Sequence, residues 1–234
     1  MSRPSLLLAA LLVVPACDSG TKDDDAAKTA KNDAAKPAPA EVSDEASKAE
    51  PAEPAAIDPW QAKLDARVLA DSGLGKDGKL TAFDIVNCES GEKYCQVCRF
   101  GSSPKLMAVG TSDDEAFLED LKDLDAIAQK YGEDKLKAFA VITDIQDGKG
   151  VTPKDVEAAR TKANEMREKL AIQMPVVVPA PDADGTNRAW DEYYNITKSR
   201  TVMFADGRNE VHYSAVGPED FADLDQAIKS VVES

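Results

Sequence analysis

The chain has 234 residues and a formal net charge of −15 at neutral pH, from 28 basic and 43 acidic side chains. This acidity argues against nucleic acid or anionic lipid headgroups as partners, because their phosphates would be repelled. Three segments of different composition follow one another along the chain: residues 1–16, residues 17–58 and residues 59–234.

The first segment has the parts of an export signal. Arg3 supplies a positive start, and the apolar run from Leu6 to Val14 is too short to remain in a bilayer as a spanning helix. The run ends in Val-Pro-Ala directly before Cys17. This ending resembles the lipobox of bacterial lipoproteins, which has an aliphatic residue three positions before the cysteine and a small residue next to it.

The lipobox resemblance implies cleavage before Cys17 and attachment of lipid to its thiol. The rest of the chain would then lie outside the cytoplasm, anchored to a membrane of the bacterial envelope and facing the periplasm or the exterior. The alternative is an ordinary secretory signal that contains a cysteine. The sequence does not determine which membrane carries the anchor.

Residues 17–58 are predicted to be a disordered tether. They consist mainly of Ala, Asp, Glu, Lys and Pro, contain no aromatic residue, and have Val42 and Ile57 as their only large aliphatic residues. Such a segment cannot bury enough apolar surface to offset the entropy of ordering it. Its prolines and charges favour an extended spacer between membrane and domain.

Residues 59–234 are long enough for one globular domain with its own core. Helical and strand patterns alternate along them. The predicted elements, in chain order, are a helix at 60–69, a turn at 73–78, strands at 80–86 and 105–110, a helix from 113, a strand at 136–143, a helix at 152–170, a strand at 174–178, a helical segment at 187–194, a hairpin of strands 201–205 and 210–215, and a helix at 218–232.

Two of the predicted helices begin with recognisable signals. Asp113 and Asp114 place acids at a helix N-terminus, where the helix dipole favours them. Thr152 followed by Pro153 resembles an N-cap and a first helical residue. We also expect Trp60 and Trp190 to be core or docking residues.

Strands that alternate with helices, followed by a hairpin and a last helix, indicate an α/β domain with a mixed central sheet flanked by helices. Three stretches resemble the thioredoxin fold: Leu-Thr-Ala-Phe-Asp-Ile from Leu80, the strand–helix–strand pattern over 105–143, and residues 194–207 with their Asp-Gly turn. The resemblance covers most of residues 74–234. It is closest to the branch that contains peroxiredoxins (the alkyl hydroperoxide reductase and thiol-specific antioxidant superfamily) and membrane-tethered thiol-disulfide proteins.

Cys95 and Cys98 form a C-x-x-C motif, the spacing of thioredoxin-type redox pairs. Two intervening residues let the sulfurs meet, and a helix start with Lys93 and Arg99 nearby would favour a thiolate. From the spacing alone, the motif predicts exchange with thiols or disulfides of envelope proteins.

The resemblance, however, implies a different position for reactive cysteines. In the family they follow the strand predicted at 105–110, where this chain has Thr-Ser-Asp-Asp at residues 111–114. A cis-proline normally precedes the strand predicted at 201–205, where this chain has Arg200. A hydroxyl cannot replace a peroxidatic cysteine, because it is far less acidic and does not form a sulfenic acid. Ordinary peroxidase activity is therefore not expected, and no catalytic residue is carried over from the family.

Three interpretations of Cys88, Cys95 and Cys98 stay open. Cys95 and Cys98 could be a displaced catalytic dithiol, with Cys88 resolving or regulating it. Two of the three could instead form a structural disulfide in a redox-silent binding or scaffold module. The third interpretation is a Cu(I) or Zn(II) site of the three thiolates, with His212 as a fourth ligand. His212 by itself is typical of a surface residue, and we expect no bound cofactor.

Tyr94 and Phe100 flank the motif. They could form an apolar rim around the cysteine pair, or they could anchor the loop to the sheet.

Overall fold

The computed structural model describes residues 58–233. Residues 1–57, which hold the predicted signal and nearly all of the predicted tether, and Ser234 lie outside the described residues. The elements within the described part are α1 (Pro59–Asp65), β1 (Asp84–Asn87), β2 (Lys93–Cys95), α2 (Gln96–Arg99), β3 (Lys105–Gly110), α3 (Glu115–Tyr131), β4 (Lys137–Ile142), β5 (Asp144–Gln146), β6 (Lys149–Val151), α4 (Val156–Leu170), β7 (Val176–Pro179), a π-helical turn (Ala189–Tyr193), β8 (Thr201–Ala205), β9 (Val211–Val216) and α5 (Ala222–Val232).

Seven strands form one mixed sheet in the order β2-β1-β7-β4-β3-β8-β9. At its centre β7, β4 and β3 run parallel, and all the other neighbours pair antiparallel. Strands β5 and β6 form a separate hairpin. The predicted mixed α/β sheet is confirmed.

The sheet separates two hydrophobic cores. Alternate residues of each strand face opposite sides, so Leu106 of β3 contributes to one core and Met107 to the other. The first, called here the α3–α4 core, includes Phe117 from α3. The second, called here the aromatic core, includes Trp190 and Tyr194. No helix of the described residues is long and apolar enough to cross a membrane.

Strand β3 occupies the residues that the sequence predicts, and the helix predicted at 152–170 ends at the predicted residue. The first helix is shorter than predicted and ends at Asp65, which leaves Val68 and Leu69 42% and 45% exposed. The chain turns there because Arg67 Nε donates to the carbonyl of Leu64 and closes the helix end. The prediction of a helix to residue 69 was therefore wrong.

Other boundaries also differ from the prediction, among them two element starts. The strand predicted at 80–86 begins only at Asp84, because Leu80 N–H pairs with the β8–β9 turn at Asn209. The N-cap of α4 is Asp155. Thr152 instead donates its N–H and its hydroxyl to Asp191, both at 2.8 Å.

The helical segment predicted at 187–194 is a π-helical turn. Residues 144–151, for which the sequence predicts no element, contain the β5–β6 hairpin. Trp190 is buried in the aromatic core. Trp60 docks α1 onto the turn by donating from Nε1 to Glu192 at 2.6 Å.

Candidate redox site

Cys95 and Cys98 form a disulfide, with their Cα atoms 5.2 Å apart. Cys95 is the last residue of β2 and the N-cap of α2, and its sulfur accepts a hydrogen bond from the N–H of Cys98 at 3.1 Å. Cys95 is half-buried against the aromatic core, whereas Cys98 is exposed. The two cysteines therefore differ in exposure, and Cys98 is the more accessible residue of the pair.

The turn before β2 sets the approach of the chain to the disulfide. Asn87 Oδ1 accepts the N–H groups of Glu89 and Ser90, at 3.0 and 2.9 Å, and closes the β1–β2 hairpin. Gly91 takes a left-handed φ of +70° in this turn, a conformation that costs glycine little. Downstream, Val97 is buried in the aromatic core and holds α2 to the sheet.

The loop after the disulfide is fixed by a buried lysine. Lys105 is fully buried, and its Nζ donates to the carbonyls of Gly101 and Ser103 at 2.6 and 2.8 Å. Burial lowers the pKa of Lys105. Gly207 is required opposite the loop, because a Cβ there would collide with the Ser102 carbonyl. The loop therefore has attachments of its own besides the disulfide.

The cations next to the motif are engaged with other groups. Lys93 Nζ donates to the carbonyl of Pro181 at 2.8 Å. The Arg99 guanidinium lies 4.6 Å from the centre of the Tyr94 ring and 3.3 Å from the Glu92 carboxylate. Both side chains thus interact with groups other than a cysteine sulfur. The Cys95 sulfur accepts its hydrogen bond from the backbone N–H of Cys98.

The aromatic residues beside the pair anchor the chain. The Tyr94 hydroxyl accepts a hydrogen bond from Asn87 at 3.3 Å. Phe100 packs edge-on against Phe139 of β4, with ring centres 5.7 Å apart. Of the two interpretations drawn from the sequence, these contacts favour anchoring of the loop to the sheet.

No sequence pattern points to Gln96, the first residue between the two cysteines. Its side chain is 1% exposed, and its Oε1 has no hydrogen-bond partner among the described residues. It lines a cavity of about 480 Å³ beside β2, together with Tyr94 and Arg99. An unpaired buried polar group costs about 1–3 kcal/mol. The carboxamide oxygen is therefore a buried, unsatisfied acceptor next to the disulfide.

Cys88 lies on the other face of the sheet. It is a fully buried free thiol in the α3–α4 core, whereas Cys95 packs against the aromatic core. Burial raises the pKa of Cys88 to about 12, although Arg160 and Arg167 oppose the shift. The structure does not bring Cys88 to the Cys95–Cys98 pair, so this arrangement gives it no role as a resolving cysteine.

The four residues of the metal-site interpretation are also not brought together. His212 lies on β9, at the opposite end of the sheet from β2. Its Nε2 is 3.5 Å from the Asp206 carboxylate, and its side chain is partly buried, so it is not the plain surface residue that the sequence predicts. Within residues 58–233, no group of three or more His, Cys, Asp or Glu side chains is placed to hold a metal ion.

The resemblance to the thioredoxin fold implies reactive cysteines directly after β3, and this chain has other side chains and contacts there. Asp114 caps α3 by accepting the N–H groups of Ala116 and Phe117. Arg200, with a left-handed φ of +61°, donates to both carboxylate oxygens of Asp120 at 2.7 and 3.1 Å. These hydrogen bonds raise the pKa of Arg200. No peptide bond among the described residues is cis.

The disulfide is displaced sideways from that place. Cys95 ends β2 and Gly110 ends β3, and the pairing directions make β2 and β3 run the same way. Strands β1, β7 and β4 lie between them. At the usual strand spacing this separation is about 19 Å. The C-x-x-C therefore lies at a different place on the sheet from the one after β3 that the resemblance implies.

Solved structures with thioredoxin-like folds are similar to this domain. A putative protein disulfide isomerase from Bacteroides thetaiotaomicron aligns over 70% of this chain and 94% of its own, with a TM-score of 0.53 and 12% identity. A thiol-disulfide isomerase from Corynebacterium glutamicum aligns over 68% and 97%, with a TM-score of 0.52 and 12% identity. The thioredoxin domain of a thiol-disulfide oxidoreductase from Bacteroides vulgatus aligns over 68% and 99%, with the same score and identity.

No protein-family model and no curated protein sequence matches the chain. At these identities the structural likeness concerns the fold alone. The comparisons confirm the predicted fold: residues 58–233 contain a thioredoxin-like domain.

Proposed function

We propose that this chain is a lipid-anchored protein of a bacterial envelope whose domain exchanges disulfides with partner proteins through Cys95 and Cys98. The observation that carries the proposal is the asymmetric disulfide, with an exposed Cys98 and a half-buried Cys95 whose sulfur already accepts an N–H. The anchor at Cys17 rests on the lipobox-like sequence. The thiol-disulfide activities in the names of the structurally similar proteins agree with this chemistry but belong to those proteins.

The proposed exchange gives the two sulfurs different roles. A partner thiolate attacks Cys98 Sγ, the Cys95–Cys98 bond breaks, and a mixed disulfide with Cys98 forms while Cys95 leaves as a thiolate. The Cys98 N–H that donates to Cys95 Sγ stabilises this leaving group. A second partner thiolate then attacks the partner's sulfur, forms the partner's disulfide and releases the thiolate of Cys98. Two electrons pass to the cysteine pair, and the two partner thiols give up their protons to water or to the cysteines.

The test is exchange with an oxidised model protein. In the reduced Cys95→Ser variant Cys98 can still attack, but no second cysteine resolves the product, so we expect a trapped mixed disulfide that a non-reducing gel detects. The Cys98→Ser variant should trap none, and Cys88→Ala should behave as wild type. Equal behaviour of Cys95→Ser and Cys98→Ser, or no reaction of wild type, would contradict exchange at this site.

A redox-silent binding or scaffold module is the second candidate. It is favoured by one observation, the replacement of the usual site by the Arg200–Asp120 ion pair. In that case the cysteine variants alter stability and nothing else, and the same exchange assay separates the two candidates.

A further inference from the structure

Strand β2 forms one edge of the seven-stranded sheet. It pairs with β1 on one side, and no strand within the described part of the chain lies on its other side. Lys93 is exposed, and Tyr94 and Cys95 are half-buried. Unpaired backbone groups on such an edge can pair with another chain.

The hydrogen-bond pattern shows which groups of β2 point outward. Asn87 N–H donates to the Glu92 carbonyl at 3.0 Å, so every second residue counted from Glu92 bonds to β1 in this antiparallel pair. Lys93 and Cys95 lie between those positions. Their N–H groups, and the carbonyl of Lys93, therefore point away from β1.

The Lys93 side chain does not shield this edge. Edge strands often carry a lysine that keeps other chains away. Here Nζ of Lys93 donates to the carbonyl of Pro181 and lies 3.6 Å from the carboxylate of Asp84. Asp84 is on β1 and Pro181 follows β7, so the Lys93 ammonium group lies on the inner side of β2, away from its outer edge. It therefore does not cover the outward backbone groups of β2.

The disulfide lies at the end of the open edge. Cys95 is the last residue of β2, and the exposed Cys98 follows one helical turn later. A strand added at the usual spacing of about 4.8 Å has Cα atoms inside the range that disulfide bonds span. A cysteine opposite Cys95 in such a strand would therefore lie beside the disulfide, and a cysteine just beyond the strand would lie nearer to Cys98.

We propose that the β2 edge binds an extended, cysteine-containing segment of a partner protein, which joins the sheet as an eighth strand. This proposal rests on exchange at Cys95 and Cys98 and assigns its substrate class: extended protein segments with cysteine, in preference to small disulfides. Main-chain hydrogen bonds supply the binding, so no fixed partner sequence is required.

The test uses the full chain, reduced and with Cys17→Ser, and two probes that carry the same mixed disulfide with 5-thio-2-nitrobenzoate. One probe is a short peptide of alternating Thr and Val with a central cysteine, and the other is N-acetylcysteine amide. Release of the coloured thiolate reports attack by the domain. We expect the peptide to react faster, and N-methylation of its alternate amides to remove the advantage.

A variant of the edge tests the same point from the protein's side. Lys93→Pro removes one outward N–H at the first residue of a strand, where proline is tolerated. We expect the ratio of the peptide rate to the small-probe rate to fall about tenfold, the effect of one hydrogen bond. Lys93→Ala keeps the amide, so an equal fall in that variant would assign the effect to the side chain and overturn the proposal.

The outcomes separate the docking site from the chemistry. Equal rates for the peptide, its N-methylated form and the small probe overturn the docking site and leave exchange at Cys98 standing. No release from any probe by folded wild type overturns the exchange as well. If Lys93→Pro does not fold, the comparison of N-methylated and unmodified peptide on wild type decides alone.

Discussion

The surroundings of each sulfur decide which cysteine can react. A thiol reacts as its thiolate, so burial that raises the pKa of Cys88 to about 12 keeps it protonated and unreactive near neutral pH. Cys98, by contrast, is exposed. We therefore expect two cysteines ten residues apart in the sequence to behave differently, because Cys88 is buried in the α3–α4 core and Cys98 is exposed.

This difference predicts selective labelling. After mild reduction, N-ethylmaleimide at pH 8 should label Cys98 in the native protein and leave Cys88 unlabelled until the protein is denatured. Because burial raises the pKa of Cys88 well above 9, its thiol should stay protonated and unlabelled when the pH is raised from 8 to 9. Peptide mapping by mass spectrometry distinguishes the two sites.

The matching control is the oxidised protein, in which neither Cys95 nor Cys98 should be labelled. Native-state labelling of Cys88 at a rate close to that of Cys98 would contradict the burial and the pKa direction on which the prediction depends.

The short helix α2 and its disulfide form a unit whose contribution to stability should be modest. A disulfide that closes so short a loop restricts the unfolded chain little, about 2 kcal/mol in the chain-entropy model. The following loop has its own attachments through Lys105 and opposite Gly207. The construction therefore fits an exchange site better than a structural staple.

We accordingly expect Cys95→Ser to lower the free energy of unfolding by no more than about 2 kcal/mol. Serine is a favoured N-cap and can replace the sulfur as acceptor for the Cys98 N–H, so only the disulfide is lost. Chemical denaturation of both proteins under oxidising conditions measures the difference.

Cys95→Ala is the matched variant, because it loses both the disulfide and the cap. It should be less stable than Cys95→Ser by about 1 kcal/mol. Under reducing conditions the difference between wild type and Cys95→Ser should nearly vanish. A loss well above 2 kcal/mol in Cys95→Ser would favour the structural role instead.

The long periodic elements could be predicted from the sequence, whereas the short ones around the site could not. Strand β3 and helix α3 have clear apolar patterns, and the Asp114 cap is a local signal. Strand β2 and helix α2 span three and four residues, too few for either period to show. The edge position of β2 depends on long-range pairing with β1, to which no local pattern points.

The same limit applies to single site residues. The sequence alone shows that residues 111–114 contain no cysteine and that residue 200 is arginine. Their places in the fold follow from the adjacent strands, which the sequence predicts at 105–110 and 201–205. The face on which Cys88 lies could not be predicted, since it depends on the register of β1 between β2 and β7. Gln96 carries no sequence signal at all, because its burial and its unpaired oxygen depend on how the chain packs around it.

In the whole chain, the site and the proposed anchor lie in separate segments. The domain begins at α1, which is docked by Trp60 onto the π-helical turn, with the Arg188 guanidinium 5.0 Å from the centre of the indole ring. The anchor at Cys17 precedes this point by more than forty residues of predicted tether. Anchoring and exchange should therefore be separable by mutation.

We predict that the mature wild-type chain stays with the membrane fraction through a high-salt wash and that Cys17→Ser loses its lipid. Two or three acyl chains, at roughly 0.8 kcal/mol per buried CH₂, give anchoring that salt does not disturb, whereas an acidic protein held by charge would be released. Fractionation, with mass spectrometry of the N-terminal peptide, measures both effects. Cys98→Ser is the control that keeps the anchor.

A mature chain that is free in solution and carries no lipid would favour the ordinary secretory signal and overturn the anchor. It would leave the exchange proposal intact, because the trapped mixed disulfide of Cys95→Ser depends only on the domain. Conversely, a lipidated chain that forms no mixed disulfide would keep the anchor and favour the scaffold. Since each segment has its own readout, neither result can be mistaken for the other.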